Sequence, residues 1–195
     1  MRLVLGSSSP RRKEILSFFS IPFVQVASPL DEREIPFSGN PQKYALLLSE
    51  QKAKLVSKQF PDEIVLTADT IVYAKGKLFN KPASREEAFQ FLSELAGSWH
   101  QVFTGITLQR GPIVHSAVEE TKILFHPLNA EQINSYISSI KTEDKAGGYA
   151  IQGAGGVIAS RIEGCYYNVM GLPINTLRAL LLFLGVDLWN HLKSS

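Results

Sequence analysis

The residues Trp99–Phe125, WHQVFTGITLQRGPIVHSAVEETKILF, decide the fold. They form two long β-like runs joined at QRGP, Gln109–Pro112, where Gly and Pro in the connection signal a hairpin. Strands joined this closely must be antiparallel, because parallel neighbours need a crossover of a dozen or more residues. Strand and helix signals alternate on either side, which favours an α/β class. The expected architecture is therefore α/β, with a mixed, strongly twisted sheet, a long antiparallel hairpin and flanking helices. A simple doubly wound sheet does not accommodate the hairpin.

Working outward, residues 84–95 carry Ala88, Phe91, Leu92 and Leu95 at helical spacing, and 129–139 also read as helix. EIVLTADTIVYA, 63–74, reads as a strand interrupted in its middle, followed by a KGK turn. Asn40 and Pro41 make an N-cap and first-turn pair for a long helix reaching about Lys58. Residues 2–6 read as a buried strand, 10–19 as a helix with Pro at its first position, and 22–27 as a strand. Residues 28–40 look like a loop. Beyond the hairpin lie a glycine-rich loop at 144–156, a strand at 157–162, a turn at Glu163-Gly164 and a final helix from Pro173.

The chain has 195 residues, 45% of them apolar and 19% charged, enough for one large domain with a real core. A net charge of +2 is too small for bulk attraction to nucleic acid, so any affinity for anions is local. The single cysteine, Cys165, rules out an internal disulfide and a cysteine-based metal cluster. Neither the N-terminal apolar run nor ALLLFLGV, 179–186, is long enough for a secretory or membrane-spanning segment. A cytoplasmic protein without a membrane partner is the expectation.

Four places break local rules, and such places tend to be functional. In LGSSSPRRKEIL, 5–16, the cations Arg11, Arg12 and Lys13 fall on the first turn of a helix, the end where the macrodipole disfavours them. An anion in front of Ser7, Ser8, Ser9 and the two arginines would account for this; a solvated helix start is the alternative. Asp69 sits inside an apolar strand, where an ionised carboxylate is costly unless paired or metal-bound. It is either a base with a perturbed pKa or a water-facing residue at a strand end or bulge. Lys52 falls on the apolar stripe of its helix beside Ala45, Leu48, Leu55 and Val56, and Lys81 follows the Asp69 strand. Their stems either snorkel or bring charge into a site. DKAGGYAIQGAGG, 144–156, lets backbone approach a ligand, and Gln152 within it offers a donor and an acceptor suited to a base edge. The histidines show no ligand spacing, so zinc is not expected. Glu32 and Asp69 are hard oxygen ligands that would suit Mg²⁺ or Mn²⁺ bound together with phosphates.

Five segments in order, SSSPRRKEIL (7–16), EQKA (50–53), ADTIV (68–72) with NKP (80–82), GSWHQVFTGI (97–106) and DKAGGYAIQG (144–153), resemble the Maf family of nucleoside triphosphate pyrophosphatases. The resemblance runs from about Leu3 to Leu177. It implies one Maf/ITPase-like domain over 1–195, with an active-site cleft between two lobes. It implies hydrolysis of a nucleoside triphosphate to monophosphate and pyrophosphate with a divalent metal, Mg²⁺ or Mn²⁺, in a house-cleaning role. By resemblance Asp69 matches the proton acceptor. Arg11, Thr70 and Gln152 match the positions that separate substrate classes, in the combination of the dTTP/UTP type. Ser7, Ser9, Arg12, Glu32, Lys52 and Lys81 match positions around phosphates and metal. Glu143 departs from the Pro usual before DKAG. A homodimer is expected from the family alone. The competing readings are a non-catalytic nucleotide-binding regulator of septum formation and a nucleic-acid module; the latter lacks a basic face with interleaved aromatics.

Overall fold

A computed structural model of the protein describes residues 2–193. Its sheet has seven strands among the described residues: β1 (Leu3–Gly6), β2 (Phe23–Val26), β3 (Ile64–Ala74), β4 (Lys77–Phe79), β5 (Trp99–Arg110), β6 (Ile113–Phe125) and β7 (Ala159–Glu163). The order is β2-β1-β3-β5-β6-β7, with β4 against β3. Pairing is parallel for β1 with β2 and β3 and antiparallel elsewhere. The mixed sheet and its long hairpin, with Arg110 opposite Ile113, are as the sequence indicates. The helices are α1 (Pro10–Leu16), α2 (Pro41–Ser57), α3 (Arg85–Leu95), α4 (Ala130–Ser139), α5 (Tyr166–Met170) and α6 (Ile174–Leu182).

Local chemistry sets the helix starts. Ser9, Asn40, Ser84 and Asn129 each accept a backbone N–H of the first turn, and Asn129 with Gln132 forms a capping box. Helix α1 stops at Leu16, short of the expected 19, where Ser17 donates its hydroxyl back to the Glu14 carbonyl. The strand expected at 157–162 is present as β7 but starts two residues later, at Ala159, because a 3₁₀ turn, Gly153–Ile158, takes its first two positions. The five-residue α5 is too short to leave a periodic signal.

One sheet face carries α2, with Ala45 and Leu48 against Ile71 and Phe103. The opposite face is divided. Leu66, Ala68, Ile106 and Leu108 pack with α1 and α6. Val72, Ala74 and Val102 pack with α3 and α4. Between these two cores, on neighbouring strands, lie Thr70 and Thr104, hydroxyl to hydroxyl at 2.9 Å, with Thr104 donating to the Asn168 carbonyl. Side chains alternate along a strand, so this polar pair divides an otherwise apolar face between the two cores.

His100 on β5 is buried beside the second core, edge-on to Phe125 and hydrogen-bonded through Nε2 to the Tyr149 hydroxyl at 2.9 Å. Burial pushes its pKa down to about 4. The unfolded chain therefore binds a proton near pH 6.5 that the native state refuses until about 4, and stability is lost as pH falls through that window. The loss is of order 3 kcal/mol for a shift from 6.5 to about 4. Urea unfolding at pH 7 and pH 4.5 should show a markedly smaller drop for His100→Gln than for the wild type. Equal drops would remove His100 as the source.

Candidate active site

The cleft follows from β3 outrunning its neighbour. Strand β1 pairs with β3 only as far as Leu66, and β4 joins the same edge only from Val72. The edge between them, holding Asp69 and Thr70, is left open. Around it lies a cavity of about 650 Å³ lined by Ser7, Ser8, Ser9, Arg11, Arg12, Glu32, Lys52, Asp69, Thr70, Lys81, Asp144, Lys145, Gln152 and Gly171, among others. Eleven residues singled out in the sequence, from Ser7 to Gln152, thus meet in one place. The strand expected to break at Asp69 is continuous. The Asp69 backbone pairs opposite Gly105, and its carboxylate receives a cation instead of water.

That cation is Lys52. Its ammonium donates to Asp69 Oδ1 and, at 2.6 Å, to Glu32 Oε1. Lys52 and Asp69 are both buried, while Glu32, on a 3₁₀ turn before α2, is partly exposed. The two carboxylates are driven apart. Burial raises the Asp69 pKa above the ordinary carboxylate value, and the Glu32 charge adds to this, against the pull of Lys52 and Arg12. Glu32 is also penalised by burial, but Lys52, Lys81 and Arg12 outweigh that and hold its pKa down.

Helix α2 must lie almost on the sheet for this contact. Gly105 makes that possible: a Cβ there would stand 2.2 Å from the Ala45 carbonyl oxygen. Ser49 bonds Thr107 hydroxyl to hydroxyl at 2.8 Å and accepts the Thr67 hydroxyl at its carbonyl at 2.7 Å. Helix and strands are thereby fastened beside the Lys52–Asp69 pair, at the level of Thr67 and Thr107.

Arg12 is fixed on the opposite face of β3. Its guanidinium donates to the Gly171 carbonyl at 2.8 Å, Ser7 Oγ at 2.9 Å and Thr70 Oγ1 at 3.0 Å. Gly171 adopts φ +103, the left-handed end of α5 that a side chain would strain, and so turns its carbonyl to Arg12. Burial lowers the Arg12 pKa, against the pull of Asp69. Gln25 braces the serine loop from β2, donating to the Ser7 and Ser9 carbonyls at 2.8 and 3.2 Å. Arg11 faces Asp144 at 3.5 Å, and Lys145 holds the same carboxylate at 2.6 Å. Lys145, Lys141 and Arg11 keep the Asp144 pKa low, outweighing its partial burial.

Gln25, Asp144, Lys145 and Gly171 escaped the sequence reading. Asp144 and Lys145 stand in the segment DKAGG that it quoted, and a charged pair opening a glycine loop was the available signal. Gln25 and Gly171 left none, since both act through long-range backbone contacts. No described helix is long and apolar enough to cross a membrane.

A family model described as "Maf-like protein" matches residues 2–183. A dTTP/UTP pyrophosphatase of Chlamydia trachomatis serovar L2 is 45% identical over 98% of both chains. One of Clostridium perfringens is 47% identical over 91% of this chain and 94% of its own. Among solved structures, the Staphylococcus aureus Ham1 protein shares the fold, with a TM-score of 0.50 and 16% identity over 94% of this chain and all of its own.

Because the Gly105 site has no room, Gly105→Ala should lift α2 from the sheet. We expect a loss of about 2–3 kcal/mol in urea unfolding, typical of overpacking, together with weakened activity as Lys52 withdraws from Asp69. Wild-type stability and activity in this variant would contradict the close-approach argument.

Proposed function

Given that the chain belongs to the Maf family, we propose that it is a nucleoside triphosphate pyrophosphatase that hydrolyses dTTP and UTP to the monophosphate and pyrophosphate. The observation that carries this reading is the buried Asp69 carboxylate, held at the open edge of β3 by Lys52, which also donates to Glu32, in one cleft with the serine loop and Arg12.

The phosphates are bound by Ser7, Ser8 and Ser9, by the guanidinium N–H groups of Arg12 not already engaged, and by Lys81. Asp69 accepts the proton of the attacking water; its raised pKa makes it a better base than an ordinary aspartate. The new bond joins water oxygen to the α-phosphorus, the bond to the bridging α–β oxygen breaks, and pyrophosphate leaves. Lys52 keeps Asp69 ionised until then.

Glu32 and Asp69 also fit a hard divalent cation. Two carboxylates already converge on one positive centre, and such ions are commonly held by one or two carboxylates plus substrate phosphates. Bound there, Mg²⁺ or Mn²⁺ would neutralise charge building on the phosphates. Arg11 and Gln152 line the base end of the cleft in this reading. Thr70 bears on selectivity through Arg12, whose guanidinium it holds.

The test is incubation with Mg²⁺ or Mn²⁺ and dTTP, UTP, CTP, GTP, ATP or 7-methyl-GTP, with monophosphate and pyrophosphate assayed separately. The expected result is both products from dTTP and UTP. Binding without turnover of any nucleotide would support a regulator instead. Asp69→Asn should retain the fold by urea unfolding and lose at least about 10²-fold in turnover, the usual share of a general base. Full activity in that variant would remove the base assignment.

A further inference from the structure

Helix α1 carries a second functional side chain on the turn after its arginines. Gln152 Nε2 donates to both carboxylate oxygens of Glu14, at 2.9 and 3.1 Å. An ionised carboxylate has no proton to give, so only the nitrogen end of the amide can face it. The two ends of a glutamine amide are otherwise interchangeable in shape, and a free Gln152 could turn either one to a ligand. With its nitrogen committed to Glu14, Gln152 has the carbonyl oxygen left for whatever enters the cleft that it lines.

We propose that Glu14 is a positioning residue that sets the base preference of the site by making Gln152 an acceptor. This rests on the proposed reading of the base by Gln152. Uracil and thymine carry an N3–H, a donor that this oxygen accepts. Cytosine has a bare N3 lone pair at the same place, which meets the oxygen as acceptor against acceptor. A site built to accept a proton rejects a ligand lacking it more strongly than shape alone allows. Glu14 touches neither base nor phosphate in this scheme; it acts through the amide it holds.

The same contact could serve only to tie the 144–156 loop to α1. Activity on dTTP and dCTP separates the two roles. Loss of a tie weakens kcat/KM for both nucleotides alike, whereas loss of amide orientation changes their ratio. Glu14→Gln offers Gln152 a donor as well as an acceptor, so the amide can turn. We expect the dTTP:dCTP ratio of kcat/KM to fall about tenfold or more. Glu14→Lys offers only donors and holds the oxygen, turning the nitrogen to the ligand; its ratio should fall further, with an absolute gain on dCTP. Glu14→Asp, which keeps the carboxylate, should restore part of the wild-type ratio. Thermal melts establish that each variant is folded.

Gln152→Ala is measured in parallel. If its ratio falls and that of Glu14→Gln does not, Glu14 has no part in selectivity while the reading of Gln152 stands. If Gln152→Ala leaves the ratio unchanged, the reading of the base by Gln152 fails and the role of Glu14 fails with it. Equal losses on both nucleotides in every Glu14 variant would leave only the tie and overturn the proposal.

Discussion

Everything in this molecule is arranged around one buried ion pair, Lys52 with Asp69. Taking two charges out of water costs several kcal/mol for each ion, and their attraction returns it only when the geometry is good. Helix α2 supplies that geometry by lying on the sheet where Gly105 has no side chain, with the Ser49, Thr67 and Thr107 hydroxyls fastening it alongside. An apolar pair of similar volume would often be as stable at such a place. The ions are therefore better explained by chemistry than by stability. Burial raises the Asp69 pKa where the edge of β3 is open, between Leu66 and Val72.

The second constraint is the division of the opposite sheet face. A continuous apolar face over β3 and β5 would bury more surface. Instead Thr70 and Thr104 stand between two cores, in a chain of hydrogen bonds that starts at the Arg12 guanidinium, runs through both hydroxyls and ends on the Asn168 carbonyl. Asn168 in turn is tied to Val102 and Thr121. The polar seam gives Arg12 partners in a place where a lone guanidinium would be expensive. The open strand edge and the split core are two views of the same cleft, and they place a carboxylate and an arginine on opposite faces of one strand within reach of one ligand.

Where periodicity and capping govern, the fold was legible. The hairpin, the Asn40-Pro41 start of α2 and the apolar stripe holding Lys52 all follow from the chain alone. Lys52 on that stripe and Asp69 in its strand each left an alternative open, because one residue cannot show what it meets. Together they resolve each other, which explains why the break expected at Asp69 did not occur. The composition of the site was legible through residues that fit their local structure badly. Its bracing was not: Gln25, Gly171 and Glu14 are ordinary where they stand in the chain, and their roles exist only across 16, 159 and 138 residues of sequence separation.

The charge of the cleft ties the pieces to a ligand. Five cations, Arg11, Arg12, Lys52, Lys81 and Lys145, line it against three carboxylates, Glu32, Asp69 and Asp144. The local excess of two equals the excess of the whole chain, +2, so the rest of the molecule is neutral in sum. The net excess of positive charge is therefore concentrated in a concave place, where a fixed field acts most strongly on a small anion. The cations are also unequal. Lys52 is committed to carboxylates and Arg11 faces one, whereas Arg12 is oriented by neutral oxygens alone, with no carboxylate bonded to it. A triphosphate carries more negative charge than the excess can balance. Where Glu32 and Asp69 converge the Lys52 ammonium already stands, one positive charge against two carboxylates, so that point of the cleft keeps a local deficit of positive charge.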